Sequence, residues 1–224
     1  MYMRSRNASI IFKFTLAVAG TSALVAQCSA HPASFWYFFT HISNIAVVGY
    51  LYVAAASAII DPERAARPPA PRVEHALILA ITVTCLVAHF MLGGGGVFSG
   101  GEFHPQMLVM HYVVPAGMVA DWLLFDEKGR MGWKEPPTWT LFPLAYVAYI
   151  YVAVLGLGVS VGESELGSGR WPYPFLDLDE LGVGGVSANI VGLFLFFIAF
   201  GYLYVALDRA LARRSGSAHR QLDV

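Results

Sequence analysis

The chain has 224 residues, 57% of them hydrophobic and only 13% charged, with a mean hydropathy of +0.58. A soluble domain of this length carries about twice that charged fraction, so the composition excludes one and defines a polytopic membrane protein. The net charge of −1, with no basic patch, argues against a nucleic-acid partner.

In chain order, six apolar segments reach or approach spanning length: 9–28, 34–60, 76–92, 105–125, 138–161 and 183–208. The predicted fold class is therefore all-α, a single domain 1–224 built as a bundle of six transmembrane helices. The first segment follows Arg4 and Arg6 and runs to Cys28-Ser29-Ala30, which also fits a signal peptide; it is assigned as the first helix. Cys28 and Cys85 show no CxxC or metal-ligand spacing and read as small apolar residues. No cofactor and no metal ligand are assigned.

Charge sets the orientation. Every Lys and Arg except Arg170 falls before the first helix or just inside it, between helices 2 and 3, between 4 and 5, or after 6. The positive-inside rule makes those regions, and both termini, cytoplasmic. The 61–75 connection is a proline-rich charged linker. On the opposite side, helices 1 and 2 join around His31-Pro32, and helices 3 and 4 through the glycine-rich stretch 93–105. The acidic connection 162–182 carries Trp171-Pro172-Tyr173-Pro174-Phe175-Leu176 and reads as a cap.

Helix 4, PQMLVMHYVVPAGMVADWLLF, holds more than an anchor needs. Pro115 cannot donate to the carbonyl of residue 111, which opens the backbone beside His111, an ionisable ring inside the membrane. Counted from Ser34 and Pro105, Thr40 and His111 each lie roughly 9 Å below the outer boundary. His41, Ser43, Asn44, His89, Ser187 and Asn189 share that outer third, whereas the inner two thirds read as aliphatic and aromatic. Thr40, Ser43 and Asn44 share a face of helix 2. Asp121 lies about 15 Å along the helix from His111, too far for a triad, and is expected to anchor the inner end of helix 4 near Lys128 and Arg130.

A hydroxyl nucleophile needs a base within reach and donors for the oxyanion. Thr40 with His111 supplies the first. Asn44, Asn189, His41 or a backbone amide supplies the second, with Ser43 as a further supporting candidate. His104, Arg170, Tyr173 and His41 are candidates for a substrate head group. With no GxSxG elbow, a soluble-type α/β-hydrolase is excluded. Two other readings compete: a metal or b-type haem protein using His41, His89, His104 and His111, and a small-molecule transporter. The transporter reading lacks paired intramembrane charges, paired broken helices and a repeat.

Three motifs in register resemble the androgen-induced / androgen-dependent regulator family, in its prokaryotic branch, over nearly the whole chain. They are Phe39-Thr40 with Ser43-Asn44, His111-Tyr112-Val113-Val114-Pro115 with Asp121-Trp122-Leu123-Leu124-Phe125, and Trp171 to Leu176. Animal members of that family are threonine hydrolases that cleave fatty acid esters of hydroxy fatty acids. The resemblance implies a carboxylic ester hydrolase with Thr40 as nucleophile and His111 as base. It further implies a lipid or fatty acyl ester as substrate, the bilayer as partner, and a bacterial inner membrane with the site in its outer-leaflet half.

Overall fold

A computed structural model describes residues 5–161 and 169–222. Arg4 and residues 162–168 of the acidic connection lie outside the described residues. Six helices long and apolar enough to cross a membrane make up the fold: α1 Arg6–Ala30, α2 Phe39–Ile60, α3 Pro71–Phe90, α4 Pro105–Phe125, α5 Pro136–Gly156 and α6 Leu178–Leu222, of which Leu178–Arg214 is the membrane-spanning part. The protein is an all-α, multi-pass integral membrane protein. The strands described are a two-residue antiparallel pair, β1 Phe98–Ser99 and β2 Glu102–Phe103, between α3 and α4.

Several boundaries move from their predicted positions, each for a local reason. Helix α2 starts at Phe39 rather than 34, because Phe35–Tyr37 form a 3-10 turn and Phe38 is extended. Helix α3 starts earlier, at Pro71, since a proline at the first helical position gives up no needed amide. Helix α5 stops at Gly156, before Gly158 takes a positive φ of 67°. Helix α6 begins with a short turn whose amides at Asp179 and Glu180 donate to Asp177 Oδ1, at 2.9 and 3.0 Å. Gly182, at φ 62° and ψ 177°, then breaks the helix, so the unbroken run follows it, as predicted.

Small residues let the helices approach closely. A Cβ on Gly20 of α1 would lie 2.5 Å from Val48 Cγ2 on α2 and 3.3 Å from Val114 Cγ2 on α4. One on Gly117 of α4 would lie 2.6 Å from the Leu16 methyls. Behind these contacts Leu51, Ile78, Leu79, Met110 and Met118 fill the core.

The end of the bundle that carries the basic residues is closed by side chains. Arg6 donates to the last carbonyls of α2, at Ala58 and Ile59, over 2.9 and 2.6 Å. Arg67 clamps Glu127 through two nitrogens, at 2.5 and 3.2 Å. That hydrogen-bonded pairing holds the Glu127 carboxyl below its usual range. Met131 N–H donates to Asp208 Oδ2 at 2.9 Å, tying the α4–α5 connection to α6.

Two expectations are corrected here. The inner part of the bundle is not simply aliphatic, since Lys13, Glu74, Asp121 and Asp126 form a second polar layer, none more than 2% exposed. Asp121 does not pair with Lys128 or Arg130. Its Oδ1 lies 2.8 Å from Lys13 Nζ on α1, while Lys128 donates to the backbone carbonyls of Trp122 and Asp126. Lys13 was counted among the basic residues at the cytoplasmic edge, but it faces inward and is fully buried. A paired intramembrane charge therefore exists, which removes one of the three arguments raised against a transporter.

Substituting Gly20→Ala should destabilise the bundle by about 1–3 kcal/mol, because the β-branched Val48 has little rotamer freedom with which to yield. Thermal unfolding in detergent should show Tm lower by several degrees, with Gly49→Ala, where a Cβ meets nothing within 4 Å, as the neutral control.

Candidate functional site

The site forms where the first turn of α2 meets the middle of α4. Thr40 is the second residue of α2, and its Oγ1 lies 3.2 Å from Nε2 of His111. Both are buried, at 4% and 0% exposure. The count from Ser34 that matched their depths assumed helix through residues 34–38. The chain instead turns and re-enters at Phe39, and still brings the two side chains together.

Helix α4 is not regular around His111. Residues Val109–Val113 form a π turn, in which Val114 N–H bonds to Val109 O five residues back. The wide turn follows from Pro115, whose ring crowds the carbonyl four residues earlier. In this register the carbonyl that lacks an amide because of Pro115 is that of Met110, not residue 111 as the regular count predicts. Asn44 Nδ2 fills the gap, donating to Met110 O at 3.2 Å and to Thr40 O at 2.8 Å. Asn44 thus pins α2 to α4 directly beside both reactive side chains. With both amide hydrogens engaged, it orients the pair and has none left for an oxyanion.

Ser43 acts in the same supporting way. Its Oγ donates to Thr40 O at 3.1 Å and lies 3.3 Å from Thr84 Oγ1 on α3. His111 Nδ1 has no hydrogen-bond partner among the described residues. The glycine-rich loop packs against it instead. Gly95 sits at φ +64°, and a Cβ there would come within 2.7 Å of His111 Nδ1 and 2.9 Å of Ala88 Cβ.

From the far side, Tyr173 reaches down onto Thr40. Its hydroxyl oxygen accepts the Thr40 N–H at 3.4 Å, an amide that lies in the first turn of α2 and has no helical acceptor. Phe38 packs edge-on against the Tyr173 ring, and Phe175 stacks on it at 5.0 Å. The aromatic segment is held in turn by Tyr151 OH donating to Leu176 O at 2.9 Å and Asn189 Nδ2 donating to Phe175 O at 3.1 Å. Burial pushes the Tyr173 phenol above its usual pKa, so it stays protonated and keeps a hydrogen to donate.

The remaining candidates make their hydrogen bonds elsewhere. His41 Nδ1 is 2.7 Å from Phe35 O and its ring stacks on Phe35, which fixes the turn before α2. His104 precedes α4 with Nε2 3.3 Å from Ser99 O. His89 contacts Tyr112 OH at 3.1 Å near the surface. The four histidines of the metal or haem reading therefore do not converge on one point. Arg170 is engaged by Asp179 through two 2.6 Å bonds and lies over the Trp171 ring, and Ser187 is exposed.

Thr40 also lines an apolar pocket of about 730 Å³, a volume that includes the space at its mouth. Val83 and Val87 of α3, Leu144 and Val147 of α5, and Phe194 and Phe197 of α6 form its walls, under Tyr173 and Leu176. His111 is behind Thr40 and does not line it. The hydroxyl therefore stands between an apolar chamber and an imidazole, with a phenol overhead.

No protein-family model, curated protein or solved structure matches this chain. What fold and site define is a class: a six-helix membrane protein with a buried Thr–His pair whose threonine lines an apolar pocket.

Three parts of the site escaped the sequence reading. Gly95 was one of several glycines, and nothing in the spacing singled it out. The Met110 carbonyl became visible only through the π turn. Tyr173 was assigned to a head group, whereas it touches the backbone of Thr40. Replacing Asn44 by Leu should leave the Met110 carbonyl buried without a donor, a loss of about 1–3 kcal/mol. Thermal unfolding of Asn44→Leu against Asn44→Gln, which keeps the amide, measures it.

Proposed function

We propose that the protein is an intramembrane lipid esterase that hydrolyses fatty acyl esters, such as fatty acid esters of hydroxy fatty acids, through an acyl-threonine intermediate. The observation that carries this reading is the 3.2 Å approach of Thr40 Oγ1 to His111 Nε2, with Thr40 lining an apolar pocket. In this reading the basic end faces the cytoplasm, as the positive-inside rule favours, and the pair works in the outer-leaflet half of a bacterial plasma membrane.

In this mechanism the acyl chain lies in the pocket and the ester carbonyl sits against Thr40. His111 Nε2 accepts the Thr40 proton as Oγ1 bonds to the carbonyl carbon. Negative charge grows on the carbonyl oxygen, for which the protonated Tyr173 hydroxyl, held against the Thr40 amide, is the donor at hand. As the ester C–O bond breaks, the imidazolium returns its proton to the departing alkoxide and releases an alcohol. Water then attacks the acyl-threonine, giving up a proton to His111. The Thr40 oxygen leaves and recovers that proton, and the fatty acid is released.

Without an acid bonded to Nδ1, His111 acts as one half of a dyad. Its orientation comes from Gly95, the π turn and the Asn44 pin.

Fluorophosphonate labelling of the detergent-purified protein, followed by mass spectrometry, should find the adduct on Thr40 and lose it in Thr40→Ala and His111→Ala. A well-folded protein that takes no label would remove the main support for this reading. In an ester-hydrolysis assay, Tyr173→Phe keeps the ring contacts and loses only the donor. Its kcat should fall by roughly 10²-fold with little change in KM. A rise in KM with kcat unchanged would assign Tyr173 to substrate capture instead.

A further inference from the structure

We propose that Glu74, Asp121 and Asp126 form a binding site for one hard divalent cation, magnesium or calcium, between α1, α3 and α4 at the basic end of the bundle. Glu74 lies in the first turn of α3, Asp121 in the last turns of α4, and Asp126 directly after α4. One carboxylate oxygen from each lies within 4.8 Å of the others. Oxygens around a calcium at about 2.3–2.6 Å, or a magnesium at about 2.1 Å, stay within such a spread.

Two further observations point to a ligand. The first is that four oxygens of the cluster have no hydrogen-bond partner among the described residues: Glu74 Oε1, Asp121 Oδ2, and both Oδ1 and Oδ2 of Asp126. Buried polar atoms are nearly always partnered, and here all four orphans belong to the three clustered carboxyls. The second is the charge. Lys13 is the cation in contact, 2.8 Å from Asp121 Oδ1 and 3.9 Å from Asp126 Oδ1, against three carboxylates that are 1%, 0% and 2% exposed. Lys128 is turned toward the carbonyls of Trp122 and Asp126 and over the Trp122 ring. A divalent cation among the three carboxylates would offset that excess of buried carboxylates over cations.

The geometry also divides the labour within Asp121. Its Oδ1 is held by Lys13, which leaves the buried Oδ2 available as a ligand. An all-oxygen set with no cysteine or histidine selects a hard ion over zinc or copper. The site is separate from the Thr40–His111 pair and takes no part in ester chemistry. Its effect is to lock α3 onto the end of α4.

The test uses the full chain in detergent, stripped with EDTA and followed by thermal unfolding with magnesium, with calcium, or with neither. The expected result is a saturable rise in Tm of roughly 5 °C or more with one of the two ions. Asp126→Asn should abolish that rise, while its ion-free form unfolds no lower than the ion-free parent, because it removes one of three crowded carboxylates and leaves Lys13 its closer partner, Asp121. A rise that survives Asp126→Asn, or no saturable rise with either ion, overturns the proposal.

Should Asp126→Asn fail to fold, Mn²⁺ electron paramagnetic resonance on the unaltered chain decides. A bound signal displaced by magnesium or calcium supports the site. A spectrum of free Mn²⁺ alone overturns it and assigns the excess charge to shared protons.

Discussion

The arrangement at the candidate site depends on one hydrogen-bonded pin, the Asn44 amide bridging the carbonyls of Thr40 and Met110. Its necessity begins with Pro115. A proline in a membrane helix removes an amide where no water can replace it, so the freed carbonyl must find a donor within the protein. The π turn moves that carbonyl to Met110, adjacent to His111, and the donor comes from the helix that carries Thr40. The defect in α4 and the meeting of the two side chains are thus one structural event. Without the proline, α2 would have nothing to satisfy at this level, and Asn44 would itself be a buried amide in search of partners.

Much of the fold was legible because hydrocarbon thickness and apolar run length are the same information. All six spans are present where the runs predict them. The boundaries that moved did so at punctuation whose direction the run length does not encode: Pro71 started a helix early, and the 3-10 turn at Phe35–Tyr37 started one late. The Thr40–His111 meeting was legible through shared depth, even though the helical path assumed for residues 34–38 was not the path taken. Depth along the membrane normal survives an error in local conformation, since an extended or turned segment still has to deliver Thr40 to the same level.

The roles within the site were less legible, because a role is set by which atom faces which. Composition can put Asn44 near a hydroxyl, but only the partners of its amide decide between an oxyanion donor and a pin. The Lys13–Asp121 pair was missed for a different reason. Counting Lys13 toward the positive-inside asymmetry assigned it to the interface, and the count has no means of noticing that a residue one turn further in faces another helix. An isolated Lys in one apolar run and an isolated Asp in another are complementary, and buried charges of opposite sign occur together far more readily than alone.

The two polar layers are built to opposite ends. At the basic end, side chains of both signs bind each other and the helix termini, from Arg6 on Ala58 and Ile59 to Arg67 on Glu127, and the layer beneath is closed to solvent. At the far end the groups around Thr40 and His111 are neutral, and they adjoin an apolar chamber rather than a charged one. A neutral hydroxyl and imidazole can remain in a desolvated place at small energetic cost, whereas a carboxylate there would demand a counter-charge. That difference accounts for the lack of an acid behind His111 among the described residues. An Asp on Nδ1 would bring into the far end the same problem that Lys13 is needed to relieve at the basic end. The backbone of Gly95 fills that position with no charge at all.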